Sequence, residues 1–165
     1  MDKAKIDSAP RQSLSDAIAA EPIRTFMNSD PLLMPLGMPV LAVLDEMRRH
    51  RSSCALICDA TKLVGIFTER DFLDRVAGEP DLLERPIEEC MSANPTALAP
   101  SDTLRSLLET IVGGGYRHLP VVEDGVVLGL VAALDIVKYI ADLFPGEVYN
   151  LPPQLDQVMP RMEGA

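Results

Sequence analysis

Three residues spaced three apart carry the most suggestive chemistry in this chain: Gly65-x-x-Thr68-x-x-Asp71. The apolar run before them and the polar run after them place the motif where a buried strand ends and a helix begins. A helix start offers free backbone N–H groups and a positive dipole end, which attract phosphate. The threonine hydroxyl can bond a phosphate oxygen, and a carboxylate one turn in can accept both hydroxyls of a ribose. Gly65 would let such a ligand approach the backbone, although tight strand-to-helix packing also selects glycine. Arg70 could reach phosphate from the first helical turn, or simply face solvent. The same spacing also fits a capping box, which needs no ligand.

A second cluster is Tyr116-Arg117-His118-Leu119-Pro120, entering an apolar strand. Two adjacent cationic or hydrogen-bonding side chains at a strand entry suit a phosphate. The alternative is a solvated arginine beside a histidine that satisfies a backbone carbonyl. Cys54-x-x-x-Cys58 near His50 invites a metal reading, but thiols on an apolar strand are ordinary core residues, and no metal is expected.

These clusters sit within an internal repeat. Residues 22–78 read as an earlier copy of residues 86–142 in a constant register of 64, without insertion or deletion. Pro22-Ile23 matches Pro86-Ile87, Met27 matches Met91, Pro31 matches Pro95, Gly65 matches Gly129 and Asp71 matches Asp135. The copies differ where chemistry is expected. Thr68 becomes Ala132, while Arg117 and His118 stand where the first copy has Ser53 and Cys54. Losing a cap costs about 1 kcal/mol, yet the aspartate stays in both copies, so capping alone does not account for it.

Both copies predict the order β-α-β-β-α. A short extended stretch (32–34; 96–98) precedes a helix, with Leu104, Leu107, Leu108 and Ile111 forming an i, i+3, i+4, i+7 stripe. Ser101 or Asp102 is the expected N-cap, and Gly113-Gly114-Gly115 the stop. Apolar strands follow at 55–58 and 63–67, then at 119–122 and 126–131, the latter pair joined by the hairpin signal Asp124-Gly125. A closing helix should bury Ile136, Val137, Ile140, Leu143 and Phe144. The predicted class is α/β of the α+β type, two tandem repeats with small mixed sheets packed against helices. The divisions are a tail and short helix (1–21), repeat one (22–78), a linker (79–85), repeat two (86–144) and a Pro-containing tail (145–165).

Net charge is −10 over 165 residues, and it is uneven. Repeat one balances seven acids with seven Lys/Arg, whereas repeat two has eight acids against Arg105, Arg117 and Lys138. An acidic surface disfavours nucleic acid and anionic membranes, although local donors can still hold one small anion. No apolar run approaches the roughly 20 residues that span a bilayer, and the first residues lack a signal-peptide core. Three thinly spread cysteines fit a reducing cytoplasm.

In order, spacing and duplication, Met-x-x-x-Pro (Met27…Pro31, Met91…Pro95), Gly65-x-x-Thr68-x-x-Asp71 and Arg117-His118-Leu119-Pro120-Val121-Val122 resemble a tandem pair of CBS (cystathionine β-synthase) domains, a Bateman module, over residues 22–144. The resemblance implies a pseudo-two-fold pair and a regulatory, non-enzymatic role. It also implies that adenine nucleotides (AMP, ADP or ATP), or related adenosyl ligands such as S-adenosylmethionine or NAD(H), bind between the repeats, with no obligatory cofactor. Asp71 would hold ribose and Thr68 phosphate, facing Thr96, Ala97, Tyr116, Arg117 and His118 across a shared cleft. A second, degraded site would join Gly129, Ala132 and Asp135 to Ser53 and Cys54. The family also implies a homodimer and a separate protein target. A ligand-free dimerising scaffold is the other reading of the same repeats.

Overall fold

The structure, a computed structural model, describes residue 16 and residues 19–143. The first repeat runs β1 (Leu33–Pro35), α1 (Val40–His50), β2 (Cys54–Asp59), β3 (Lys62–Thr68) and α2 (Glu69–Asp71), which continues into a π turn (Phe72–Val76). The second runs β4 (Ser92–Ala93), α3 (Leu104–Gly114), β5 (His118–Glu123), β6 (Val126–Ala132) and α4 (Ala133–Leu143). Each repeat folds a hairpin: β2 pairs antiparallel with β3 and β5 with β6, and β1 lies parallel to β2. The two hairpins meet at one residue pair, Lys62 with Val126, giving the order β1-β2-β3-β6-β5. Those two residues are 64 apart, so the pair lies on the pseudo-two-fold that relates the copies. The expected small sheets are therefore joined into one, through this pair and through β4, which pairs with β3.

The turns follow the residues. Asp124 and Gly125 both take positive φ (52° and 84°), as a two-residue hairpin of this hand requires. Helix α3 ends on Gly115 at φ 65°. Its N-cap is Thr103, in a capping box with Ser106, rather than Ser101 or Asp102. Asp102 is committed one turn earlier, where its carboxylate accepts the Ala99 N–H at 2.8 Å. The expected strand at 96–98 reduces to one parallel bridge, Leu98 with Val121, and the paired segment is instead β4, against β3. In α4, Ile136 is buried but Val137 is 61% exposed, because the apolar side of that helix turns through Ile136, Tyr139 and Ile140. The side chain of Leu143 and all of Phe144 lie outside the described residues, as do the tail 145–165 and most of the N-terminal segment.

Two equivalent cores form. Phe67, Val40, Val43, Ala55 and Ile57 fill one, and Val131, Leu104, Leu107, Leu119 and Val121 fill the other, position for position. The entry segments are exchanged between them. Ile23, at the head of repeat one, is fully buried in the second core, and its N–H reaches Asp102 O at 2.8 Å. Ile87, at the head of repeat two, is fully buried in the first, with its N–H on Met38 O at 2.8 Å. Each repeat thus completes its neighbour, which welds two units that would be marginal alone.

A polar cleft shared by the two repeats

The end of β3 and the start of α2 form one wall of a cavity of about 280 Å³, lined there by Ile66, Thr68, Glu69, Arg70 and Asp71. The opposite wall comes from the second repeat: Ser92, Pro95, Thr96, Gly114, Gly115, Tyr116, Arg117 and His118. Thr68, Arg70 and Asp71 are thus brought together with Thr96, Tyr116, Arg117 and His118, as the resemblance implied. Ala97 does not line the cavity, because the chain there turns outward ahead of the buried Leu98.

Thr68 and Asp71 form the capping box. Thr68 Oγ1 accepts the Asp71 N–H at 3.2 Å, and Asp71 Oδ2 accepts the Thr68 N–H at 2.9 Å and its hydroxyl at 2.6 Å. The other oxygen, Oδ1, accepts the Ser92 hydroxyl from across the cleft at 2.9 Å. Asp71 is only 12% exposed at its side chain, so it faces the cavity and little else. Both roles read from the motif coexist here: the carboxylate caps its helix and also lines a pocket. A carboxylate has about four acceptor sites, so these bonds leave capacity for a ligand. Sequence reasoning passed over Ser92. Its signal was its place directly after Met91, in the entry segment that lies on Gly65.

Of the two expected reasons for the glycines, the structure shows packing, against an entry segment rather than a helix. A Cβ on Gly65 would run into the Met91 side chain, and one on Gly129 would meet Asn28 O at 2.6 Å and Met27 Sδ at 3.0 Å. Glycine lets the methionine-led entry segment of the other repeat lie on the strand, and neither glycine lines a cavity. The family's glycine and its methionine are thus one packing device, made twice.

His118 is half-buried, and burial pushes its imidazole below the ordinary value of 6.5, with nearby Glu69 opposing and Arg117 assisting. Its Nε2 shares a hydrogen bond of 2.8 Å with Ser53 Oγ. Ser53 therefore lines this cavity rather than a second one, because the strand entries of both repeats converge here. Cys54 lies under it, 2% exposed against Leu56, Ile66 and Leu130. Burial, and then Glu69, push its thiol up to about 12, a protonated core group. Tyr116 and Thr96 bond each other, with Thr96 Oγ1 donating to Tyr116 Oη at 3.0 Å, which fixes the ring at the rim. Among the described residues no group of His, Cys, Asp or Glu has the arrangement of a metal site.

The expected second site does not assemble. Asp135 is exposed and lies 3.4 Å from Lys138 Nζ, Ala132 has no cap to offer, and Gly129 is covered by Asn28 and Met27. A second cavity of about 280 Å³ does exist, lined by Asn28, Asp30, Pro31, Leu32, His50, Arg51, Ser52 and Leu130. Seven of these are the register-64 counterparts of residues in the first cavity, so the clefts are pseudo-symmetric. None of Ser53, Cys54, Gly129, Ala132 and Asp135 belongs to it.

Duplicated β-α-β-β-α units with exchanged entries and paired clefts define a tandem-repeat module, and comparison names its family. The family model of the CBS domain matches residues 23–78 and again 87–142. The chain belongs to the CBS domain family. It is 36% identical over 114 residues to the CBS domain-containing protein CBSCBSPB5 of Arabidopsis thaliana, covering 67% of this chain and 20% of that one. A second Arabidopsis protein, CBSCBSPB3, is 32% identical over 144 residues, covering 84% of this chain and 25% of its own length. The chain thus spans a quarter or less of these plant relatives. Among solved structures it is similar to a CBS-domain-containing protein from Agrobacterium tumefaciens (28% identity, TM-score 0.63, 68% of this chain and 91% of that one). It also shares the fold of the CBS domain pair of protein MJ0100, solved with 5′-methylthioadenosine and S-adenosyl-L-methionine (21% identity, TM-score 0.65, 72% and 98%).

Proposed function

We propose that this chain is a regulatory module that binds an adenine nucleotide in the polar cleft and passes the binding on as a change in how its two repeats sit together. One observation carries the proposal: a carboxylate and hydroxyl at a helix start and two arginines lie with a histidine around a single cavity built by both repeats. Asp71 accepts the ribose hydroxyls, with Ser92 sharing or yielding its place on Oδ1. Arg117 and Arg70 meet the phosphate, Thr68 can turn its hydroxyl toward it, and the base lies against Ile66, Pro95 and Thr96. Charge-assisted bonds of this kind are the stronger ones. The likeness to a domain pair solved with two adenosyl compounds supports the ligand class. S-adenosylmethionine or NAD(H) are the competitors for the same ribose contacts.

A ligand spanning both walls prefers the arrangement in which they face each other, and it shifts the population only by that preference. The hairpins pair directly at Lys62 and Val126, and the exchanged entry segments tie the repeats together elsewhere, so the change is a small adjustment of the cleft walls. The role is regulatory rather than catalytic, in the cytoplasm, with a separate protein as target. A homodimer fits the exposed apolar helix side chains Leu73 (68%) and Val137 (61%), which are equivalent in the two repeats. One finding favours the ligand-free scaffold instead: the Thr68–Asp71 box is satisfied by the chain itself.

Titration calorimetry with AMP, ADP, ATP, S-adenosylmethionine and NAD(H) tests the proposal. Saturable binding of an adenine nucleotide supports it. Silence from the whole panel at about millimolar concentration, where even weak sites register, leaves the scaffold reading.

A further inference from the structure

Arg75 lies one turn beyond the motif and outside the cavity lining, yet its guanidinium reaches two residues that do line it, Asp71 and Ser92. Nη1 donates to Cys90 O at 3.0 Å and Met91 O at 2.7 Å. Nη2 reaches Ser92 Oγ at 3.5 Å and lies 3.7 Å from Asp71 Oδ1, the oxygen that also accepts the Ser92 hydroxyl. The backbone that delivers this side chain is the π turn Phe72–Val76, in which the Ala77 N–H reaches back five residues to Phe72 O at 2.9 Å. A π turn re-aims the side chains it carries, and such turns are frequent at functional sites.

The second repeat is an internal control. Its closing helix, Ala133–Leu143, is α-helical, and the counterpart of Arg75 is Tyr139. Tyr139 packs edge-on against Phe26, the counterpart of Cys90, with ring centroids 4.7 Å apart. An aromatic contact is thus enough to hold helix to entry segment in this fold. The first repeat uses a planar fork of donors instead, which matches carbonyls and a carboxylate together, and it does so beside the aspartate that lines a cavity.

We propose that Arg75 is a positioning residue of the cleft: it ties the Cys90–Ser92 wall to Asp71 and so fixes the carboxylate that takes the ribose hydroxyls. The claim about ribose rests on the nucleotide reading above, whereas the tie itself does not. Arg75 touches no ligand and acts through Asp71 and Ser92.

The test uses the full chain and two variants, Arg75→Met, which keeps an apolar stem, and Arg75→Lys, which keeps charge without the fork. The first readout is ligand-free amide hydrogen exchange over residues 92–94, where the Asn94 N–H is held on Val64 O at 2.9 Å. Arg75→Met should speed it about tenfold or more, the effect of losing a bond to a charged group. The equivalent amide of Asn28, held on Leu130 O at 2.8 Å, should keep its rate. The second readout is affinity for AMP against 2′-deoxy-AMP. Wild type should prefer AMP, Arg75→Met should lose about tenfold of that preference, and Arg75→Lys should fall between. A purely structural arginine would weaken both ligands equally. Exchange at wild-type rates in either folded variant overturns the tie, and an unchanged AMP to deoxy-AMP ratio overturns the positioning role. Failure of wild type to bind any nucleotide removes the function proposed above, and the exchange arm still decides the tie.

Discussion

The two clefts have the same volume and the same parentage, but not the same chemistry. In the first, the helix start brings Thr68, Glu69, Arg70 and Asp71 to the cavity edge, and the strand entry adds Arg117 and His118. In the second, the equivalent helix start is Ala133-Leu134-Asp135, with Leu134 62% exposed, and it lines nothing. Its polarity comes instead from the helix end His50-Arg51-Ser52, facing Asn28 and Asp30. Three of those side chains are already engaged: His50 Nε2 lies 3.5 Å from Glu46, Asn28 Oδ1 accepts the Asp30 N–H at 3.0 Å, and Ser52 Oγ donates to Cys54 O at 2.7 Å. One duplicated scaffold thus offers a cavity twice, and a few substitutions at its rim decide which copy gathers a carboxylate, a hydroxyl and two arginines around it. Cavity shape belongs to the fold, and chemistry to the strand-to-helix junction.

Several substitutions would break or sharpen that contrast. The largest effect should come from the shared scaffold. Phe67→Ala should cost about 3–5 kcal/mol by denaturant unfolding, and the equivalent Val131→Ala less, because less volume is lost from an equally buried site. A larger loss from Val131 would mean that the second core carries the stability. Next are the packing glycines. Gly129→Ala should destabilise by about 1–3 kcal/mol, more than Gly65→Ala, because Gly129 faces a backbone oxygen and Gly65 a pliable methionine. The reverse order in thermal melts would contradict the packing account.

The caps give a smaller and opposite pair. Thr68→Ala should cost about 1 kcal/mol, and Ala132→Thr should gain up to as much by rebuilding the box with Asp135. If chemical denaturation shows no gain from Ala132→Thr, the second helix start is held by something other than a missing cap. The mildest effect concerns pH. Burial favours neutral His118 in the folded chain, so its contribution is complete above 6.5 and is lost as pH falls through that value toward the lower folded one. His118→Gln should flatten the melting-temperature profile in that window, and an unchanged slope would assign it to another group.

The regular elements were legible because their signals are local. The stripe from Leu104 to Ile111 and the turn Asp124-Gly125 each specify their element within a residue or two. The facing of Thr68 and Asp71 with Arg117 and His118 came instead from the resemblance to paired CBS domains, since the register of 64 gives only which positions are equivalent. What stayed hidden depends on contacts between repeats. Nothing local in Ile23 says that it will fill the other repeat's core, and β4 has two residues, too few for any periodicity. Gly65 was left open between ligand approach and packing because its partner, Met91, belongs to the opposite repeat, as Met27 does for Gly129. Ser53 was assigned to the wrong cleft for the same reason. The register predicts which positions are equivalent, but not that both strand entries converge beside one cavity.

Ligand binding by wild type, Asp71→Ala and Asp135→Ala, measured side by side by calorimetry, tests the central claim most directly. A helix-start carboxylate at one cleft only predicts one adenine nucleotide per chain. Asp71→Ala should weaken it about tenfold or more, and Asp135→Ala should leave it unchanged. Equal losses from the two variants, or two equivalent sites in wild type, would contradict the division of the clefts.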